Sequence, residues 1–257
     1  YTQAQGNLAL EKNFRWLRLN CWEQLKINKW LGVDFWDLCA GKVDEKALRG
    51  RPCYGGLDLS SKIDMTAFVL LFPPDEINKK WAMLPHFWLP EEMVRQRYEV
   101  DKVDYPEWVE RGFLQTTPGN VIDYDFIKAK ILDLKDKFNI LEIAFDPWNA
   151  AQVAVDLGEE GLTMFEIRQG VKSMSPPTKE IEQIVRGRKL IHNGHPIMRW
   201  NVSNAKAKID ENDNIRLVKD KSKERVDGLF ALINAMSRAM LHNSGPSVYE
   251  QRGILTV

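Results

Sequence analysis

The chain has 257 residues, 44% of them hydrophobic, and its 36 lysines and arginines are matched by 36 aspartates and glutamates. That length supports one sizeable core with at most a small additional subdomain, and the lack of an apolar run of about 18 to 20 residues excludes a membrane-spanning helix. With charges that cancel, no strong long-range pull on nucleic acid is expected, so any DNA affinity must be local or supplied by partners.

Neither the composition nor the start of the chain carries the basic stretch and apolar core of a signal peptide, and a soluble globular protein is expected. The chain opens on Tyr1 rather than methionine, which reads as a piece of a longer protein. Residues 1–50 differ from the rest. Phe14, Trp16, Leu17, Leu19, Trp22, Leu25, Trp30, Leu31, Phe35, Trp36 and Leu38 recur at spacings of three and four, predicting short amphipathic helices whose aromatics form core. This segment is expected to be a helical lead-in that connects to, or packs against, a missing upstream domain. Cys21, Cys39 and Cys53 are odd in number and widely spaced, which argues against a disulfide framework or a CxxC metal site and for a reducing compartment.

Gly41, Gly50 and Pro52 punctuate the passage into a strand, a polar turn and a second strand over 54–72. Leu57 and Leu59 share one face of the first strand, and Gly56, Asp58 and Ser60 the other. Asp58 therefore sits inside a strand, where a carboxylate requires a cation, a hydrogen-bond network or a sheet edge. A third strand is predicted over 80–89, a helix from Pro90 to about Val103, a short helix over 106–111 and a short edge strand over 113–115.

Residues 123–138 read as an amphipathic helix with Phe126, Ile127, Ile131, Leu134 and Phe138 on its apolar face. A strand over 140–146 follows, ending in Asp146 and stopped by Pro147. A helix over 149–157 and a strand over 162–167 continue a parallel half-sheet, with Trp148 and Asn149 expected to pack on and cap that helix. Residues 170–178, containing Pro176 and Pro177, read as a loop before a helix over 179–189. A helix over 199–209, a small hairpin over 208–221 and a final helix over 224–241 complete the pattern. Val226, Leu229, Phe230, Ile233, Met236 or Ser237, and then Met240 stripe that last helix, with Asp227 at its border. Ala231 and Asn234 follow one and two turns later, small enough to let the helix approach a sheet closely.

Asp58 in the first strand, Asp146 at the end of a later strand and Asp227 in the first turn of the last helix thus occupy positions that one sheet end can bring together. Crowded acids repel one another and raise each other's proton affinity, and a divalent cation relieves this. Mg²⁺ and Mn²⁺ suit all-oxygen sites, and two ions clamp the attacking and leaving oxygens of a phosphodiester displacement. Taken singly, an aspartate at a strand end is more often a turn former or a helix cap.

Gly55-Gly56-Leu57-Asp58-Leu59-Ser60-Ser61 with Asp64-Met65-Thr66-Ala67 resembles the opening of the nuclease domain in the large terminase subunit of tailed bacteriophages. The similarity continues through Val121 to Asp125, Ala144-Phe145-Asp146-Pro147-Trp148-Asn149-Ala150, Gln169-Gly170, Met174 to Pro177, Asn193 to Ala205 (NGHPIMRWNVSNA) and Arg225 to Leu232. Leu19 to Trp22 also resembles the segment that joins that family's ATPase to its nuclease.

The resemblance implies an RNase H-like fold, a central mixed sheet with helices on both faces, over residues 51–242. Residues 1–50 would lead in from an absent ATPase domain, and 243–257 would form a flexible tail. It implies metal-dependent endonuclease cleavage of double-stranded DNA during genome packaging in the host cytoplasm, alongside a small terminase subunit and a portal. Asp58, Asp146 and Asp227 carry over as catalytic, metal-binding acids with Mg²⁺ or Mn²⁺, and Asp64 as a further candidate ligand whose alternative role is a turn residue.

Lys219, Lys221, Lys223 and Arg225 lead into the Asp227 helix and are candidates for DNA contact, or a solvated face. Arg186, Arg188 and Lys189 form a second basic cluster. No GxxxxGK[ST] phosphate loop occurs, so ATP hydrolysis is not expected. His192 and His195 lack cysteine neighbours and do not suggest zinc. The rivals are a resolvase-like or transposase-like nuclease of the same fold and a non-catalytic docking module of a packaging motor.

Overall fold

The computed structural model describes residues 28–60, 65–218 and 225–243. Strand β1 (Asn28–Lys29) and helix α1 (Val33–Asp37) precede a hairpin of β2 (Pro52–Asp58) and β3 (Thr66–Phe72). Then come β4 (Trp81–Pro90), α2 (Glu91–Asp101), α3 (Tyr105–Glu110) and β5 (Gln115–Thr117). The parallel part of the chain is α4 (Tyr124–Lys137), β6 (Asn139–Phe145), α5 (Pro147–Glu159) and β7 (Met164–Glu166). It continues with α6 (Val171–Arg186), β8 (Leu190–Ile191), α7 (Pro196–Asn204), β9 (Lys206–Ile209), β10 (Ile215–Val218) and α8 (Asp227–Asn243).

The main sheet runs β5-β4-β3-β2-β6-β7, with β8 also pairing β4, and β1, β9 and β10 form a small separate sheet. β2, β3 and β4 are antiparallel neighbours, whereas β6 lies parallel to β2 and β7 parallel to β6. Alternation of side chains along β2 and β3 divides the core in two. Leu57, Phe68, Leu70 and Phe72 pack with α4 and α5 through Ile127, Ile131, Val153 and Leu157. Tyr54, Ala67, Val69 and Leu71 pack with α6, α7 and α8 through Ile181, Met198, Leu229 and Ile233.

α8 fixes this arrangement. It is buried on every side from Asp227 to Met236, not along one stripe as its sequence pattern suggests, because β2, β3, α6 and α7 all pack on it. A Cβ at Gly56 would overlap the Ala231 carbonyl oxygen and lie 2.5 Å from the Ala235 amide nitrogen, so only glycine lets the helix lie on β2 this closely. One turn along, Asn234 Nδ2 donates to the Leu57 carbonyl at 3.0 Å. At the far end, Arg238 and His242 reach Glu142 of β6 at 2.6 and 2.9 Å, and the His242 ring stacks on Tyr54 of β2. The helix therefore runs antiparallel to β2 and β6, and its first residue arrives where those strands end.

Several expected elements differ. Pro176 and Pro177 lie inside α6 rather than in a loop; a proline inside a helix costs about 3 kcal/mol, and burial of Met174, Pro177, Thr178 and Ile181 against the core outweighs it. The helix expected over 199–209 stops at Asn204, because Lys206-Ala207-Lys208-Ile209 alternates with the period of a strand and pairs with β1 and β10. The edge strand falls at 115–117 instead of 113–115, since the amides of Phe113 and Leu114 close the end of α3 on the Trp108 carbonyl. Phe126 is 49% exposed and does not belong to the buried face of α4. In the described part of the lead-in, Trp30, Leu31 and Trp36 join the α8 side of the core. Residues 1–27 and the tail from 244 lie outside the described residues.

Two measurements test this frame. Gly56→Ala forces the α8 backbone away from β2 and is expected to lower the unfolding free energy in urea by about 1 to 3 kcal/mol; a neutral result would mean the helix and strand do not meet as described. Burial alone would raise the Glu142 carboxyl, but hydrogen bonds from Arg238 and His242 outweigh it and hold the group below its ordinary 4.5. A depressed carboxylate stabilises the fold above its unfolded pKa and loses that contribution as pH falls through the folded one. The stability advantage of the parent over Glu142→Gln should thus be full at about pH 6 and shrink by about pH 3, and a constant difference would exclude the clamp.

Candidate metal centre

Asp58 closes β2 and is only 7% exposed. It pairs across the hairpin with Ala67, and on the other side the register Gly56 to Ala144 and Leu57 to Phe145, carried one residue further, sets it beside Asp146. Side-chain parity aligns the two acids. Gly56 faces α8, as does Glu142 on β6, so residues 58 and 146, each an even number of residues further along, project to the same face. Asp146 is half-buried and caps α5, accepting a hydrogen bond from the Trp148 amide at 3.0 Å, with Pro147 at the first helical position.

Asp227 enters from a different direction. It is 8% exposed at the first position of α8, and α7 holds the chain there. Asn201 Oδ1 accepts from the Gly228 amide at 2.8 Å, and Asn204 Nδ2 donates to the Arg225 carbonyl at 3.1 Å. Gly228 lies against Met198 and Phe87, and Phe87 pairs with Ala67, itself the partner of Asp58. The start of α8 thus stands level with Asp58 but over β4, about two strand spacings or 9 to 10 Å across the sheet. Asp58 and Asp146 are neighbours, with Asp227 approaching from the β4 side. Among the described residues, no three histidine, cysteine, aspartate or glutamate side chains gather closely enough to hold an ion.

Asp64, Lys219, Lys221 and Lys223 lie outside the described residues. Arg225 forms an ion pair at 3.9 Å with the buried carboxylate of Asp101, which also accepts from the Tyr105 hydroxyl at 2.7 Å. Arg186 pairs with Glu182 and stacks over Phe35. The histidines are structural: His192 stacks on Trp36 and bonds its carbonyl at 3.0 Å, and burial among Phe87 and Phe113 pulls His195 down to about 3. Cys39 and Cys53 are buried free thiols, with Cys53 pushed up to about 12 by burial. Trp148 does not pack on its helix; it is 87% exposed.

One residue joins the site without a sequence signal that assigned it a role. Gln169, in the turn before α6, directs Nε2 to Asp58 Oδ1 at 3.4 Å. It also lines a cleft of about 320 Å³ between α6, β10 and α8, whose wall includes the exposed Arg216. The Gln169-Gly170 pair was visible in the sequence, but a contact 111 residues distant leaves no local pattern.

A family model described as the terminase large subunit, endonuclease domain, matches residues 2–243. The chain belongs to that family. It is 32% identical over 233 residues, 90% of the chain and 45% of the relative, to the terminase large subunit of Enterobacteria phage HK97. It is 31% identical over 252 residues, 93% of the chain and 54% of the relative, to protein YmfN of Escherichia coli strain K12. The chain therefore spans about half the length of the curated relatives it matches. The crystal structure of the HK97 large terminase superposes with a TM-score of 0.75 at 30% identity, covering 92% of this chain and 49% of that one. The large terminase nuclease of thermophilic phage G20c superposes with a TM-score of 0.53 at 10% identity, covering 82% and 98%. The mixed sheet of this terminase nuclease domain, with helices on both faces, has the RNase H-like fold.

The donors suit a hard divalent cation. Mg²⁺ is ordinarily held by one or two carboxylates, with waters and substrate phosphates completing its shell, and paired aspartates on adjacent strand ends meet that requirement. Gln169 restrains the rotation of one of them. Gln169→Leu keeps the bulk but removes the donor, and is expected to weaken Mn²⁺ binding in calorimetric titration about tenfold. An unchanged isotherm would show that the contact positions nothing.

Proposed function

We propose that this terminase nuclease domain is a divalent-metal-dependent endonuclease that cuts double-stranded DNA, with Asp58, Asp146 and Asp227 as the metal-binding acids. The observation that carries this reading is the pairing of Asp58 and Asp146 at the ends of adjacent parallel strands, on the face that α8 crosses to deliver Asp227. Parallel strand ends are where α/β folds place their reacting groups, and two adjacent carboxylates, Asp58 nearly unexposed and Asp146 half-buried, repel one another in a way that a divalent cation relieves.

Mg²⁺ or Mn²⁺ bound there, as two ions in this reading, would supply Lewis-acid stabilisation of the phosphodiester and lower the pKa of a water. The residues hold and orient. The β2 and β6 backbones fix Asp58 and Asp146 side by side, Gln169 restrains Asp58, the Trp148 amide restrains Asp146, and Asn201 anchors the turn that carries Asp227. Asp64, in the β2–β3 connection, is a further ligand by its place in the sequence. Lys219, Lys221 and Lys223 precede α8 and are assigned to phosphate contact with Arg216, whereas Arg225 is engaged by Asp101.

The HK97 relative is a terminase large subunit about twice as long as this chain. By analogy, the substrate is viral DNA being packaged in the host cytoplasm. An ATPase region of the same polypeptide, a small terminase subunit and a portal would be its partners. A chain without net charge fits a nuclease whose DNA is brought by others.

Supercoiled plasmid incubated with the protein and Mn²⁺ tests the reading. The parent should nick and linearise it, and Asp58→Ala, Asp146→Ala and Asp227→Ala should each lose about a hundredfold or more in rate. Cleavage by all three at the parent rate would remove the assignment. A parent inactive at every Mg²⁺ and Mn²⁺ concentration would instead favour a docking module.

A further inference from the structure

We propose that Trp148 is a DNA-contacting residue that seats the duplex against the acids at the ends of β2 and β6, an inference that rests on the nuclease reading. Its backbone amide belongs to the turn that restrains Asp146, at 3.0 Å from Oδ1, while the residue as a whole is 87% exposed. Among the described tryptophans it stands apart: Trp30, Trp36, Trp81, Trp88 and Trp108 are buried and Trp200 is partly buried against the core. Packing gives no reason for an aromatic at this position. The inner side of α5 is already filled by Ala150, Val153, Ala154 and Leu157.

Position selects the occupant. Two residues of chain separate their Cα atoms by at most about 7 Å, and successive phosphates advance about 3.4 Å along a duplex strand. Any phosphodiester presented to Asp146 therefore brings its neighbouring nucleotides within reach of the Trp148 ring. An aromatic ring contacts sugar and base faces whatever the sequence, and apolar side chains at the minor groove wedge against base steps. Such a contact suits a protein whose balanced charge supplies no strong long-range hold on DNA. The ring would set which part of the strand lies over the acids without itself taking part in proton or metal chemistry.

The test compares the parent with Trp148→Ala and Trp148→Phe. Binding to a fluorescein-labelled duplex is read by anisotropy in EDTA, and nicking kinetics are read in Mn²⁺. Trp148→Ala is expected to raise Kd and KM about tenfold, with the loss falling on KM rather than kcat, and Phe should recover most of it. An exposed ring contributes little to folding, so the melting curves of the three should coincide. If the parent cuts DNA and Trp148→Ala matches it in both Kd and KM, the contact does not exist while the nuclease reading stands. A loss confined to kcat would also overturn the proposal, because the substitution would then be acting through Asp146. If the parent neither binds nor cuts, the nuclease reading itself fails and takes this inference with it.

Discussion

The contact between the α8 backbone and Gly56 governs the geometry of everything else. A helix laid on a sheet ordinarily stands off by the depth of its side chains, with layers packing about 10 Å apart. Here a strand position without a side chain meets Ala231 and Ala235, and the helix comes down onto β2 itself. That contact fixes height, and the Glu142 clamp at the other end of the helix fixes direction. With both set, the place where Asp227 begins the helix follows from the helical rise alone.

The acids on the strands depend on a second constraint, register. β2 and β6 are far apart in sequence yet parallel and adjacent, and a slip of one residue between them would turn either Asp58 or Asp146 to the opposite face. Glycine at 56 and alanine at 144 are small on the α8 face, while Leu57 and Phe145 are large on the other, so the two faces are unequal in size and the register is specified by packing. The same choice that admits the helix therefore aligns the carboxylates. Stability and site geometry are not separable in this region.

Much of this was legible from residues alone, for physical reasons that differ by element. Asp146 is marked by the proline that ends its strand, Asp58 by its place in a period-two run, and Asp227 by the small residues one turn further on. The hairpin of β2 and β3 and the alternation around β6 followed from periodicity. What escaped was whatever depends on tertiary contact. Burial overrides the two prolines in α6. Asp101 captures Arg225 from a helix more than a hundred residues earlier, and Gln169 finds Asp58 across a similar distance. Trp148 looked like packing because tryptophan usually is; only the filled inner face of α5 leaves it outside.

The central claim is that the ends of β2 and β6, met by the start of α8, hold divalent cations. Crystals of the protein grown with Mn²⁺ and measured at the manganese absorption edge test it most directly. The account predicts an anomalous difference peak within coordination distance, about 2.0 to 2.2 Å, of carboxylate oxygens of both Asp58 and Asp146. Manganese peaks found only elsewhere on the molecule, at saturating Mn²⁺, would contradict it.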